Sequence, residues 1–370
     1  AAEPAAMEVT EIADPKGFAE DDTDEERPDF SGVDDAQNDY WATVRTPNEY
    51  LTELPEEIGV RTIDLSDFSK ITYANTDGTY VAVVSADDSG GHALSLWDTD
   101  ANSVTVLYTV DTEGFTIHNP LITPDGVYWT VATDTTDVNG GVWSMYFWSF
   151  SDETVSEIKN VTADEGQQYD PNASQGGDSI FWIELAPADG GYFYRVFRMN
   201  ASLSEPELLF TFHYLSSPYI RPLYANGYLS VVDYYGGAWQ VLWYEGSSGK
   251  LFSLPVTGMV DKDFPVAAVT DGKTVAILTE FQRMYVCDPA AGTMDFAANV
   301  DFNVQFLGDY LLYVDDGMCC YQISTKKNYL FAQEEDLSFK PGITTDGETV
   351  FTRAKNSDDT GEWLYAVNLK

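Results

Sequence analysis

Basic residues are scarce in this 370-residue chain, which carries 19 lysines and arginines against 61 aspartates and glutamates, a formal net charge of −42. A surface this negative repels the phosphates of nucleic acids and of anionic lipids, so we expect no nucleic-acid partner and no direct membrane insertion. The sequence has no apolar run of about 18 residues, which excludes a hydrophobic membrane-spanning helix. Its first residues lack the basic and apolar stretches of an intact signal peptide. We therefore expect either a cytosolic chain or one whose signal or anchor lies upstream of residue 1.

Cysteine is also scarce, with Cys287, Cys319 and Cys320 as the only three, which excludes a disulfide framework. Cys319 and Cys320 are neighbours on a predicted strand, so their side chains point to opposite faces. A disulfide between Cys287 and one of the pair is one alternative. Three buried free thiols that pack as small hydrophobic groups are the other, and we favour it.

Familiar catalytic and metal motifs are missing: there is no G-x-S-x-G, no H-E-x-x-H and no C-x-x-C, and histidine occurs three times. We therefore predict no catalytic residues, no zinc and no cofactor. Asp98, Asp100 and Asn102 have calcium-loop spacing, but glycine at the sixth position and glutamate at the twelfth are absent. An Asp-rich turn is the favoured interpretation, with calcium binding as the alternative.

Aromatic residues are abundant, with 20 Phe, 23 Tyr and 9 Trp, so the chain can bury a large core. The N-terminal region differs from the rest, because 18 acidic and 3 basic residues precede position 60. We predict that residues 1–45 form an acidic disordered tether. Residues 46–59 are predicted to be a short helical segment, with Thr46 as N-cap and Pro47 at the first helical position.

A repeat dominates residues 60–370: a turn that contains Gly, usually after Asp or Asn, is followed at once by a hydrophobic strand. Such turns between strands are a strong hairpin signal, since they require positive φ. Seven turn glycines mark the copies, namely Gly78, Gly126, Gly177, Gly227, Gly272, Gly308 and Gly347. A third strand follows each hairpin and a fourth follows most of them, which is typical of β-propeller blades.

The fold class predicted from this repeat is all-β: a seven-bladed β-propeller of four-stranded antiparallel blades spanning 60–370. The last copy ends after its third strand, and a spare strand at 60–66 precedes the first copy. We expect this N-terminal strand to complete the last blade and close the propeller, which would remove exposed sheet edges. Six or eight blades are the alternatives if one repeat is miscounted.

Three repeats resemble the TolB-like, WD40-like propeller repeats of bacteria. The segment HNPLITPDGVYWTVAT (118–133) has a Pro before a Pro-Asp-Gly turn and a hydrophobic strand, and FPVAAVTDGKTVAILT (264–279) and KPGITTDGETVFTRA (340–354) are similar. The resemblance covers about 310 residues, and Pro-Asp-Gly is intact at 124–126 alone. It implies that the first strand of each blade lines a central channel and that the adjacent loops form one rim.

Candidate ligand-binding residues follow from that implication, at seven or eight positions before five of the turn glycines, or six positions before Gly227 in the case of Arg221. They are His118, Asn119, Tyr169, Asp170, Arg221, Phe264, Asp301 and Lys340. This mixture of aromatic, acidic and basic groups suits a pocket, although any water-filled funnel would contain it too.

We predict a non-catalytic bacterial binding module, secreted or on the cell surface, that is monomeric and binds a protein, peptide or glycan over one rim. A lyase- or lactonase-like propeller enzyme, with His118 and Asp170 as acid and base, is one alternative. An extracytoplasmic sensor domain of a membrane-anchored regulator is the other. The fold by itself does not decide between these functions.

Overall fold

The computed structural model describes residues 5–20, 28–133, 142–161, 171–188, 191–214, 221–259, 261–315, 317–332, 337–339, 344–345, 349–356 and 362–370. The chain folds as a seven-bladed β-propeller of antiparallel sheets, which confirms the predicted fold class. Among the described residues, no helix has the length and apolar character needed to cross a bilayer.

The segment before the first blade has four short elements. They are β1 (Thr10–Ile12), α1 (Val33–Asp39), a π-helical turn (Tyr40–Val44) and β2 (Ile58–Asp64).

Three sheets follow in chain order, and each is built from four consecutive strands. The first holds β3 (Ile71–Thr76), β4 (Tyr80–Ala86), β5 (His92–Asp98) and β6 (Ser103–Val110). The second holds β7 (Phe115–Thr123), β8 (Gly126–Thr133), β9 (Trp143–Ser149) and β10 (Val155–Val161). The third holds β11 (Ser174–Gly176), β12 (Ser179–Ala188), β13 (Gly191–Met199) and β14 (Glu207–Phe212).

The next three sheets repeat the arrangement. The fourth holds β15 (Leu223–Ala225), β16 (Tyr228–Tyr235), β17 (Ala238–Glu245) and β18 (Lys250–Pro255), with β1 added beside β18. The fifth holds β19 (Pro265–Thr270), β20 (Val275–Thr279), β21 (Arg283–Asp288) and β22 (Thr293–Asn299). The sixth holds β23 (Asp301–Leu307), β24 (Tyr310–Val314), β25 (Met318–Gln322) and β26 (Lys327–Ala332).

The seventh sheet combines strands from the C-terminal end of the chain with one strand from the N-terminal segment. It holds β27 (Leu337–Phe339), β28 (Thr344–Thr345), β29 (Thr349–Asn356) and β30 (Glu362–Leu369). Its order is β2-β30-β29-β27, and β28 pairs with β29. The predicted contribution of an N-terminal strand to the last blade is therefore confirmed, with the strand at 58–64 rather than 60–66.

The chain divides into two compact units. One comprises Ala1–Ile58, Ala188–Arg195 and Leu209–Glu335, and the other comprises Gly59–Pro187, Val196–Leu208 and Asp336–Lys370. In the first unit the core includes Leu278, Leu311 and Tyr313 from the fifth and sixth sheets. In the second unit it includes Trp129, Trp143 and Trp182. The aromatic side chains in these strands therefore serve mainly as core.

The predicted disordered tether is wrong for the described part of residues 1–45. Strand β1 pairs with β18, and Val33 and Tyr40 of the helical region are buried against the fifth and sixth sheets. A few apolar side chains spaced among many acidic ones supply enough contact to order the segment, and a composition argument does not register such contacts.

The predicted helix over 46–59 is also wrong, since the first α-helix lies earlier at Val33–Asp39. Leu51 instead forms an isolated parallel bridge with Tyr329, and its N–H donates to the carbonyl of Asn328 at 2.9 Å. Pairing with β26 satisfies backbone groups that a local helix would otherwise have satisfied. Proline at positions 47 and 55 is compatible with this extended path.

The three cysteines are buried and free, as the favoured alternative predicted. Burial raises the pKa of Cys287 to about 11 and those of Cys319 and Cys320 to about 12. Thiolate is therefore rare at neutral pH, and the sulfurs act as packing groups.

Candidate functional site

The first strands of the second unit are tied together by amide side chains. Asn75 on β3 donates from Nδ2 to the carbonyl of Pro120 at 3.0 Å, and Asn119 on β7 donates to the carbonyl of Ala173 at 2.7 Å. Asn119 has φ of 47° at a register shift between His118 and Leu121. The structure thus uses the Nδ2 group of this predicted ligand-binding residue to join neighbouring strands.

His118 lies beside Asn119, and it packs against a residue that the sequence analysis missed. Its ring stacks on Tyr73 of β3, with centroids 5.4 Å apart and planes 28° apart. The hydroxyl of Thr116 lies close to His118 Nε2. Tyr73 is 37% exposed. We call Tyr73, Thr116 and His118 the Tyr73–His118 surface.

A partly buried cation lies next to this surface. Arg353 on β29 donates from Nη1 to the carbonyl of Thr72 at 2.7 Å and pairs through Nε with Glu362 at 2.5 Å. Burial lowers the pKa of Arg353, while Glu362 and Tyr73 act in the opposite direction. Arg353 therefore fixes the backbone that carries Tyr73, and it contributes positive charge next to the exposed ring.

The predicted candidates in the first unit have different surroundings. Phe264 is 9% exposed and stacks on Trp239, with centroids 5.2 Å and planes 11° apart. Phe30 from the N-terminal segment covers it at 5.0 Å. Arg221 is half-buried, and burial lowers its pKa to about 10. Asp301 begins β23, where its backbone pairs with Val314.

The other three predicted candidates, Tyr169, Asp170 and Lys340, lie outside the described residues. The structure thus places His118 and Asn119 side by side in one unit. It surrounds Phe264 with aromatic side chains in the other.

A polar cluster that the sequence did not reveal fastens the N-terminal segment to the sixth sheet. Asp315 accepts hydrogen bonds from the Tyr50 hydroxyl at 2.6 Å and from Asn48 Nδ2 at 2.7 Å, and Arg45 lies 3.5 Å away. Burial is the largest cause that raises the pKa of Tyr50, and the hydrogen bond to Asp315 adds to it. Tyr50 therefore remains a neutral hydrogen-bond donor at physiological pH.

A histidine–aspartate pair is buried in the first unit. His213 Nδ1 lies 2.9 Å from Asp233 Oδ2, and Asp233 Oδ1 accepts the backbone N–H groups of His213, Tyr214 and Tyr234 at 2.8–3.0 Å. The ring of Phe18 meets His213 edge-on at 4.7 Å. With its carboxylate satisfied by backbone donors, this pair holds together the end of β14 and the β16–β17 hairpin.

The calcium candidate forms a hydrogen-bonded turn. Asp98 Oδ1 accepts the N–H groups of Asp100 at 3.0 Å and Ala101 at 2.8 Å, and Asn102 has φ of 49°. Among the residues that the structure describes, no three His, Cys, Asp or Glu side chains converge as a metal site would require. The calcium hypothesis stays a prediction.

Comparison with solved structures shows the fold alone. The chain is similar to an oligogalacturonate lyase in complex with manganese, with a TM-score of 0.52 and 13% identity over 88% of this chain and 97% of the lyase. It is similar to the β-propeller domain of the Trilobed protease from Pyrococcus furiosus, with a TM-score of 0.51 and 13% identity over 80% of this chain and 95% of that domain.

A puromycin hydrolase matches with a TM-score of 0.51 and 10% identity over 84% of this chain, which spans 53% of the hydrolase. No family model and no curated protein matches the sequence. Because enzymes are among these propellers at such low identity, the fold does not assign an activity.

Proposed function

We propose that this propeller is a non-catalytic binding module, and that the Tyr73–His118 surface is its ligand-binding site. The observation that carries the proposal is the exposed Tyr73 ring stacked on His118 at the first strands of two neighbouring blades. An exposed aromatic ring held in place by a second ring binds flat apolar faces with little entropy cost.

The surroundings of Tyr73 favour a ligand that combines a flat face with hydrogen-bonding groups. Thr116 and His118 contribute a hydroxyl and an imidazole beside the ring. Arg353 holds the carbonyl of Thr72, so the backbone below Tyr73 is fixed before a ligand arrives. Such preorganisation lowers the cost of binding.

The net charge narrows the ligand class further. At −42 the chain repels polyanions over a distance set by the ionic strength, and it attracts cationic groups. We therefore infer a neutral glycan, or a neutral or basic peptide on a partner protein. We include in this proposal an extracytoplasmic location, a monomeric state and descent of the blades from TolB-type repeats.

The test uses an array of neutral glycans and a phage-displayed peptide library, screened at 0.15 and about 0.5 M salt. Ligands recovered with the wild type should bind the Tyr73→Ala variant about 5- to 150-fold more weakly, since such a ring contributes about 1–3 kcal/mol. Tyr192→Ala is the matched control, because it removes another exposed aromatic side chain, 44% exposed on β13.

Equal binding by wild type and Tyr73→Ala would place the ligand elsewhere and refute this assignment. Loss of binding in both variants would also count against it, since the two rings share no contact that the structure describes.

The enzyme alternative with His118 and Asp170 remains a prediction, and so does the sensor alternative. Oligogalacturonate is one substrate for an assay, in view of the lyase with a similar fold, but it is a polyanion and the net charge of the chain disfavours its binding. If the wild type turns over this substrate and the His118→Ala variant does not, the enzyme alternative replaces the binding proposal.

A further inference from the structure

The first unit contains an aromatic slot formed by Tyr214, Trp239 and Phe264. Trp239 and Phe264 stack nearly parallel, with centroids 5.2 Å apart, and Tyr214 meets Trp239 edge-on at 5.9 Å. Phe30 of the N-terminal segment lies on this slot, with ring centroids 5.0 Å from Phe264 and 6.4 Å from Trp239. A side chain from elsewhere in the chain therefore covers this aromatic slot.

Phe30 lies on the slot rather than deep inside it. Its side chain is 38% exposed, whereas Phe264 beneath it is 9% exposed. A core residue would be enclosed on all sides, and a bound ligand commonly keeps one face in water.

The backbone around Phe30 is held mainly by a local turn, in which the Val33 N–H donates to the carbonyl of Phe30 at 3.2 Å. Asp29 accepts from Ser31 within the same turn, and Lys262 Nζ lies 3.9 Å from the exposed Asp29 carboxylate. Such an exposed ion pair contributes little to stability. Gly32, the N-cap residue of α1, has no side chain that could cap the helix.

The chain that follows is held strongly. Gln37 Nε2 donates to the carbonyl of Glu280 at 2.7 Å, and Asp315 binds Tyr50 and Asn48. Phe30 can thus leave the slot while α1 and the residues after it stay in place. The anchored chain keeps Phe30 near the slot at a high effective concentration.

We propose that the aromatic slot is a second ligand site, for a peptide that carries an aromatic side chain, and that Phe30 is an intramolecular occupant which such a peptide displaces. The site shares no residue with the Tyr73–His118 surface, and it does not depend on the proposed function of that surface.

The experiment uses the full chain and two synthetic blocked peptides, Pro-Asp-Phe-Ser-Gly, which copies residues 28–32, and Pro-Asp-Ala-Ser-Gly. Peptide binding is followed by NMR titration to millimolar concentrations. We expect the Phe30→Ala variant to bind the phenylalanine peptide at least about fivefold more tightly than the wild type, because the internal competitor is removed. The alanine peptide should not bind any variant.

Trp41→Ala is the matched control. Trp41 is also 38% exposed and lies in the same segment, but its Nε1 donates to the carbonyl of Phe281, and it is not one of the slot residues. The Trp41→Ala variant should bind the phenylalanine peptide with the affinity of the wild type.

Circular dichroism and thermal melting check that the variants fold. If Phe30→Ala is unfolded, Phe30→Leu, which keeps an apolar side chain, takes its place and should bind the peptide more tightly than the wild type. Equal affinity of the folded Phe30 variant, the Trp41 variant and the wild type would overturn the proposal, and so would equal binding of the two peptides.

Discussion

Two turns with the same sequence allow a clean test of how close packing constrains a blade. Thr-Asp-Gly occurs at 76–78, 270–272 and 345–347, and the first two turns, which lie within the described residues, have the same hydrogen bonds inside the turn. The Gly78 N–H donates to Thr76 Oγ1 at 2.9 Å, and the Gly272 N–H donates to Thr270 Oγ1 at 3.0 Å. The glycine φ values, 95° and 87°, are also alike.

The surroundings of the two glycines differ. A Cβ on Gly78 would meet nothing within 4 Å, whereas a Cβ on Gly272 would lie 2.2 Å from Cζ of Tyr228. Gly78→Ala should therefore cost about 1–2 kcal/mol, the backbone penalty of a positive φ. Gly272→Ala should cost about 1–3 kcal/mol more, since the ring of Tyr228 has to move.

The assay is guanidinium denaturation of the wild type and both variants. Equal m-values, the slopes of the free energy of unfolding against denaturant concentration, would show that all three unfold in the same two-state transition. The double variant Gly272→Ala/Tyr228→Leu provides the control. Compared with Tyr228→Leu alone, the double variant should lose only as much free energy of unfolding as Gly78→Ala loses, because the obstructing ring is absent. Equal losses for the two single alanine variants would refute the reasoning.

Three further predictions concern buried polar groups. Asp315→Ala should lower the free energy of unfolding by about 2–4 kcal/mol, because the half-buried donors Tyr50 and Asn48 lose their acceptor. Asp295→Ala is the control: it breaks the exposed ion pair with Lys326 and should lower the free energy of unfolding by less than about 1 kcal/mol. Similar losses in denaturant titrations would contradict this. Burial raises the pKa of Asp263 above its ordinary value of 3.8, so the folded state binds the proton more tightly than the unfolded state does. The wild type should therefore gain stability relative to Asp263→Asn as the pH falls through the raised pKa towards 3.8, and parallel stability profiles would disprove it. The three cysteine thiols, with pKa values of about 11–12, should label slowly with iodoacetamide at pH 8 in the native protein and quickly in denaturant, as counted by mass spectrometry.

The repeat could be predicted because its signal is local. A turn such as Thr-Asp-Gly at 76–78 needs positive φ at glycine, and the hydrophobic strands lie directly beside it in the sequence. The pairing of β2 with β30 could be predicted because the last repeat had three strands, and the strand before the first repeat had no blade of its own. The first prediction needed only residues that are neighbours in the sequence, and the second needed only a count of the strands in each repeat.

The site residues were harder to predict, because their partners are distant and their register is irregular. The register shift between His118 and Leu121 adds residues between His118 and its turn, so His118 lies 8 positions before Gly126 whereas Tyr73 lies 5 before Gly78. A fixed count of seven or eight therefore found His118 and missed Tyr73. Phe30 meets Phe264 across more than 200 residues of chain, and no local pattern reports such a contact. An acidic composition also hid the apolar residues that order the N-terminal segment.

The pairing of β2 with β30 has a consequence during synthesis on the ribosome. Strand β2 ends at Asp64, and its neighbour β30 begins at Glu362, about 300 residues later. At about 5–20 residues per second, β2 waits roughly 15–60 s for that partner, with an unpaired backbone edge exposed to other nascent chains. Slowing translation should therefore increase aggregation of this protein, and a chaperone that shields strand edges should counteract the effect.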